Sequence, residues 1–239
     1  MNKFAVFDID GTLIRWQLYH AIVDRLAKLG LLGEKAHQEL HDARMVWKNR
    51  EHSESFREYE QTLIKIYEDS LVNIDTKTFD SVAKQIAAEY KDQVYTYTRD
   101  LCKDLKGKGY RLLAISGSHQ ELVGYISKNY GFDYWVGTEY ERLDGSFTGK
   151  KFVASHDKKT VLESLITKHS LSLTGSLAVG DSGSDIPMLE MAEIPVAFNP
   201  DRALLDKAKN QGWKIVIERK NVVYELEKEN DEYILAKAN

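Results

Sequence analysis

Asp8-Ile9-Asp10-Gly11-Thr12-Leu13 decides how this sequence is read. It follows Phe4-Ala5-Val6-Phe7, a short apolar run with turn chemistry at Gly11, which predicts a buried strand ending at the first aspartate. Side chains two apart in extended backbone point the same way, about 6–7 Å apart along the chain. Two carboxylates so placed can divide labour around a bound group, one as nucleophile or metal ligand and the other as proton donor and acceptor. A bare Asp-x-Asp is more often an acidic loop; the strand before it and the Gly-Thr after it weigh against that.

Three other stretches sit at the same kind of place. Tyr110 to Ile115 reads as a strand, and Ser116-Gly117-Ser118 follows it and opens a helix over Gln120 to Lys128. A hydroxyl and backbone N–H groups at a helix start suit an anion, although Ser118 alone reads as an N-cap. Lys158, or its neighbour Lys159, begins an amphipathic helix running to His169, where the helix dipole disfavours a cation. Leu177 to Val179 reads as a buried strand entering Gly180-Asp181-Ser182-Gly183-Ser184-Asp185, whose Asp181 and Asp185 are spaced as hard oxygen ligands or their supports. Beyond it lie a helix near Ile186 to Met191, a strand over Val196 to Phe198, a helix near Leu204 to Lys209 and a strand over Lys214 to Ile217. Alternation of this kind predicts a parallel sheet with crossover helices, and ligands bind at the carboxyl edge of such sheets.

The stretch from Trp16 to Tyr90 has another character. It holds only two glycines, Gly30 and Gly33, and no proline. Leu18, Ile22, Leu26 and Leu29 share one helical face, as do Phe56, Tyr59, Leu63 and Ile66, and then Phe79, Val82, Ile86 and Tyr90. This predicts a small helical unit, with a break at Gly30–Gly33. Tyr134 to Gly137 is strand-like, and Asp144-Gly145 predicts a tight hairpin turn. Residues 219–239 are mostly charged and polar and read as a surface element with a frayed end.

Composition bounds the function classes. With 239 residues, the chain fits one to two domains at about 150 residues each. Its 33 Lys+Arg against 37 Asp+Glu leave a formal charge of −4, which argues for neither a nucleic-acid partner nor an anionic membrane. No run approaches the roughly 18 apolar residues of a membrane span. Cys102 is the only cysteine, so an internal disulfide and a cysteine-rich metal site are excluded. No signal-peptide core precedes Asp8, and the expected location is the cytoplasm.

The ordered set Asp8-Ile9-Asp10-Gly11-Thr12-Leu13, Ser116, Lys158 and Gly180-Asp181-Ser182-Gly183-Ser184-Asp185 resembles the four motifs of the haloacid dehalogenase superfamily, in its phosphatase branch. The segment Asp144-Gly145-Ser146-Phe147-Thr148-Gly149 resembles a hairpin of the phosphoserine phosphatase-like subclass. The resemblance implies an α/β fold: a three-layer α/β/α Rossmann-like core with a parallel sheet (residues 1–13 and 93–239) and a small all-helical cap (14–92). It implies a magnesium-dependent phosphomonoester hydrolase for a small phosphorylated metabolite. Asp8 would be the nucleophile that becomes an aspartyl-phosphate, and Asp10 the acid and then the base. Asp8, the backbone carbonyl of Asp10 and Asp181 would hold Mg2+, with Asp185 orienting the cluster. Ser116, Gly117 and Lys158 would bind phosphate.

Departures narrow what carries over. Phosphoserine phosphatases generally have Ser where Gly11 stands, and Ser184 occupies a place usually held by Asn. The glutamate that reads the ammonium group of phosphoserine falls on Gln17, and a neutral amide cannot replace that counter-charge. Phosphoserine is therefore disfavoured as main substrate. Arg57 could face a substrate carboxylate, with Arg44 and Arg50 as competitors. Trp16, Tyr19, Trp47 and Phe56 could line a pocket, but such aromatics are more often packing core. Two rivals share the motifs: a phosphotransferase or mutase, which passes the phosphoryl group to another hydroxyl, and a non-catalytic phospho-ligand sensor, against which retention of Asp10 argues.

Overall fold

The computed structural model describes residues 2–52, 54–230 and 232–238. β1 (Asn2–Phe7) is followed by α1 (Leu18–Lys28), α2 (Ala36–Lys48), α3 (Ser55–Leu71), α4 (Thr76–Tyr90) and α5 (Thr96–Gly107). Next come β2 (Arg111–His119), α6 (Gln120–Asn129), β3 (Tyr134–Leu143), β4 (Ser146–Phe152), α7 (Lys158–His169) and β5 (Leu171–Gly180). The short α8 (Ile186–Leu189), β6 (Ile194–Phe198), α9 (Arg202–Gln211), β7 (Lys214–Arg219), β8 (Val222–Glu229) and β9 (Glu232–Ala238) follow.

Among the described residues the strands form one nine-stranded sheet in the order β4-β3-β2-β1-β5-β6-β7-β8-β9. Strands β3 to β7 in that order pair in parallel, and β4, β8 and β9 add antiparallel edges. β1 is apolar on both faces. Ala5 and Phe7 join a cluster with α1–α6, whereas Phe4 and Val6 join a second cluster with α7, α8 and α9. Burial on both faces is why the strand reads as a continuous apolar run. β2 lies on one side of β1 and β5 on the other, so the winding reverses at β1. A reversal of this kind opens a crevice at the carboxyl ends of the flanking strands, and the acidic stretch begins there.

The helices between β1 and α5 leave and rejoin the sheet through a narrow neck. Arg15 N–H donates to the Gln93 carbonyl at 2.8 Å, Tyr95 N–H to the Leu13 carbonyl at 3.0 Å, and Ile14 bridges Val94. Their buried side chains pack on one face of the sheet. Leu29 departs from the helical face expected of it. It follows the end of α1 and is 55% exposed, because the helix stops at Lys28 before another turn could bring it inward.

The segment read as a polar surface tail is instead two sheet strands, β8 and β9. Val223 is buried, Leu226 packs against the second cluster, and Tyr233 Oη donates to the Ala208 and Trp213 carbonyls. A few inward side chains suffice for a strand with one solvated face, and charge on the other face masked them. The expected frayed end falls partly on Asn239, outside the described residues. Among those residues no helix is long and apolar enough to cross a membrane.

Candidate active site

At the end of β1 the chain turns tightly. Asp8 N–H donates to the Val179 carbonyl at 3.0 Å, which ties the ends of β1 and β5 together, and Leu13 and Ile14 N–H both return to the Ile9 carbonyl. Gly11 has φ of +83°, and a Cβ there would lie 2.2 Å from Asp181 Oδ2. The left-handed backbone and the approach of Asp181 both call for glycine. Thr12 Oγ1 donates to Asp181 Oδ1 at 3.3 Å, so the two acidic loops touch directly.

Lys158 is the hub. It is 1% exposed, and its Nζ donates to Asp8 Oδ1 at 2.6 Å, Asp185 Oδ1 at 2.6 Å and the Ile115 carbonyl at 3.0 Å. Asp157 caps the N-terminus of α7 by accepting from Thr160 N–H, and this sets the next residue facing inward. Burial works to lower the Lys158 pKa, but Asp185 and Asp8 outweigh it and hold the ammonium above its ordinary range. The second oxygen of Asp185 accepts from Asp181 N–H, Ser182 N–H and Ser182 Oγ. Both Asp185 oxygens are thus engaged, and the side chain braces Lys158 and the 181–185 loop.

Carboxylate oxygens of Asp8, Asp181 and Asp185 lie within 4.8 Å of one another. Burial, only partly opposed by Lys158, pushes Asp8 well above the ordinary carboxylate range, and neighbouring Asp185, Asp181 and Asp10 push it further. Burial and Asp185 likewise push Asp181 up to about 7. Several carboxylates around one lysine form a cluster with surplus negative charge, all hard oxygen donors. Such a donor set fits a divalent cation of the magnesium type.

Asp10 is held differently. Its Oδ1 accepts from Leu18 N–H at 2.6 Å, at the start of α1, and its Oδ2 accepts from Ser116 Oγ at 2.7 Å. Burial raises its pKa against these hydrogen bonds, which favours the proton-carrying form that a general acid needs. Ser116 is fully buried behind Asp10 and also accepts from Ser118 N–H at 3.0 Å. Gly117 and Ser118 are the part of this turn that faces the cleft. Ser118 is not an N-cap: α6 is capped at His119, and the buried Ser118 hydroxyl lies against the Asp10 carboxylate. A cleft lined by Lys158 and by Gly117 and Ser118 of this turn is a place for an oxyanion.

These groups form the floor of a cleft of about 350 Å³ whose far wall comes from α1 and α3. Gln17, Tyr19, His20, Glu60, Ile64 and Glu68 line that wall, with Tyr140 and Lys151 from the hairpin. Of the aromatics named from sequence, only Tyr19 lines the cleft. Trp47 stacks on Tyr59 and packs against Phe56 inside the helical layer, and Trp16 is 45% exposed outside it. The arginines are elsewhere: Arg44 binds Asp24 and Tyr59, Arg57 is exposed beside Glu54, and Arg50 does not line the cleft. Sequence reasoning missed Glu60, Glu68, Tyr140 and Lys151, and only the i, i+4, i+8 spacing of 60, 64 and 68 marked a shared face.

Gly180 gives a test of this packing. A Cβ there would sit 2.5 Å from both Cβ and Cγ of Asp185. Gly180→Ala is expected to displace Asp185, loosen Lys158 and cost about 1–3 kcal/mol by overpacking. Chemical denaturation measures this, and an unshifted midpoint would show that the brace is unimportant.

The haloacid dehalogenase-like hydrolase family model matches residues 5–190. The chain is 24% identical over 210 residues to the phosphoserine phosphatase of Archaeoglobus fulgidus, covering 87% of this chain and 55% of that protein. It is 25% identical over 230 residues to the histidinol-phosphatase of Neisseria meningitidis serogroup C, covering 90% and 99%. The chain spans about half the length of several curated relatives that it matches. In fold it is similar to a protein of unknown function from Bordetella pertussis Tohama I, with TM-score 0.73, 20% identity and coverage of 91% and 99%. With a family model spanning both acidic loops and the lysine between them, the chain belongs to the haloacid dehalogenase-like hydrolases.

Proposed function

We propose that this chain is a magnesium-dependent phosphomonoester hydrolase that works through an aspartyl-phosphate on Asp8. The observation that carries the reading is the buried contact of Lys158 with Asp8 and Asp185, beside an Asp181 close enough to share a cation with Asp8. An anionic nucleophile needs such positive charge to approach an anionic phosphate. The names of the relatives, phosphoserine phosphatase and histidinol-phosphatase, support a small phosphate ester as substrate.

In this reading an Asp8 oxygen attacks phosphorus, the phosphorus–ester oxygen bond breaks, and Asp10 gives its proton to the leaving alcohol. Water then attacks the phosphorus of the acyl phosphate while Asp10 takes a proton, which returns Asp8 and releases phosphate. Lys158, Gly117 and Ser118 hold phosphate oxygens, and Ser116 positions Asp10. Mg2+ would be held by Asp8, Asp181 and the Asp10 carbonyl, with Asp185 as their support, and supplies positive charge to the phosphoryl oxygens. Residues 14–92 act as a cap that screens the cleft from water, with residues 1–13 and 93–239 as the core. The Asp10–Leu18 hydrogen bond ties the acid to the first cap helix. The lone buried Cys102 fits a reducing compartment, and the reading places the enzyme in the cytoplasm.

The experiment is phosphate release from a panel of phosphomonoesters with and without Mg2+. Turnover that requires Mg2+ and falls to background in Asp181→Asn is the expected result. Transfer of phosphate to an added alcohol without release would favour the phosphotransferase. Background rates across the panel would favour a phospho-ligand sensor. Mg2+ is also expected to raise the wild-type melting temperature by relieving carboxylate repulsion, and Asp181→Asn to lose that increment.

A further inference from the structure

We infer, resting on the hydrolase reading, that the alcohol half of the substrate carries a cation and no carboxylate: it is a phosphate monoester of a small amino alcohol, read by Glu60 and Glu68. The wall opposite the phosphate floor comes largely from α3. Tyr59, Leu63, Tyr67 and Leu71 of this helix are buried, and Glu60, Ile64 and Glu68 share the face that lines the cleft. Two carboxylates therefore meet the part of the substrate that is not phosphate.

The charges of that wall do not cancel. Glu68 binds Lys151 Nζ and accepts from Tyr140 Oη at 3.4 Å, which neutralises the lysine. Among the described residues the charged partner of Glu60 is His20 Nε2, at 3.6 Å, and the Glu60 side chain is 36% exposed. Among the described residues lining the cleft, each lysine already has a carboxylate partner and there is no arginine. Arg44, the nearest in kind, is held by Asp24 and Tyr59. A substrate carboxylate would meet Glu60 with no lysine or arginine left to balance it, whereas an ammonium would meet a carboxylate that His20 neutralises only when protonated; His156 is the other histidine of the cleft.

The remaining wall suits the same ligand. Tyr19 and Tyr140 line the cleft with their hydroxyls against one another, and Tyr140 Oη reaches Glu68. Aromatic faces attract a cation further once water is displaced. A neutral alcohol half would desolvate Glu60 without compensation, so the wall discriminates against it as well as favouring the amine.

The test compares phosphoethanolamine with propyl phosphate, which replaces the ammonium by a methyl group, and with L-phosphoserine, which adds a carboxylate. Wild-type kcat/KM for phosphoethanolamine should exceed that for propyl phosphate at least tenfold, the size of one charge-assisted hydrogen bond, with phosphoserine below phosphoethanolamine. Glu60→Gln should reduce the ammonium-to-methyl ratio about tenfold, and Lys151→Met, which leaves Glu68 unneutralised, should increase it. Opposite shifts from two cleft substitutions are not expected of general damage to folding. A ratio near one in an enzyme that hydrolyses propyl phosphate, or a preference for phosphoserine, overturns the inference and leaves the hydrolase reading standing. Hydrolysis of none of the three, nor of p-nitrophenyl phosphate, sinks both.

Discussion

Asp8→Asn is expected to lower phosphate release by on the order of 10⁴–10⁶-fold, the scale seen when a covalent nucleophile is removed, while leaving the fold intact. The amide has no anionic oxygen to attack phosphorus. Its shape matches the carboxyl, and the backbone bond from residue 8 to Val179 does not depend on the side chain. Lys158 keeps Asp185 and the Ile115 carbonyl. Unfolding free energy should therefore stay within about 1 kcal/mol of wild type, the worth of one hydrogen bond. Steady-state phosphate release measures the loss, with intact mass excluding deamidation back to aspartate. Acid quenching after a labelled phosphate ester should trap label on wild-type protein and none on the variant. Turnover within a hundredfold of wild type in verified Asp8→Asn protein would remove Asp8 from the nucleophile's role.

Where one physical signal dominated, the fold was legible. The α7 helix is bounded by a capping aspartate and carries a clear apolar face, and its observed span of Lys158–His169 matches the expectation. The apolar core of β5 was visible at Leu177–Val179, but the strand begins at Leu171, because its first half mixes two leucines, one of them exposed, with Ser, Thr and Gly and shows no continuous apolar run. Such residues pair through the backbone, which periodicity does not register. β8 and β9 were hidden for a related reason: their inward positions are few and their outward ones charged.

The candidate site divides along similar lines. Asp8, Asp10, Lys158, Asp181 and Asp185 were legible because each stands just beyond a strand or at a helix start, where backbone geometry alone brings side chains to one edge. What the side chains do there was not legible. That Ser116 supports Asp10, and that Ser118 is the serine facing the cleft, goes with a shift of register between Ile115 and His119 in β2. Glu60 and Glu68 were hidden among Glu58, Lys65 and Asp69 on a helix whose charged surface is broad. Periodicity identifies the buried stripe of a helix, but it does not distinguish an exposed face over a cleft from one over bulk water.

Lys158→Met should have the second large effect, and on two observables. The ammonium is enclosed between two buried carboxylates, and removing it leaves both uncompensated. Breaking a buried pair from one side costs about 3–5 kcal/mol, which denaturant titration of the metal-free protein would register. Turnover should fall by about 10³-fold, the upper end for loss of one electrostatic contact in a water-excluded site. Without the lysine, burial acts unopposed on Asp8, whose proton is then held more tightly and whose nucleophilic form is depleted at neutral pH. The two losses separate in the double substitution Lys158→Met with Asp185→Asn. Neutralising Asp185 removes one of the stranded charges and should restore about half of the lost stability, yet phosphate still lacks its lysine and turnover stays low. Recovery of activity together with stability would mean that Lys158 serves the fold alone, and so would a single variant that keeps its rate within tenfold of wild type.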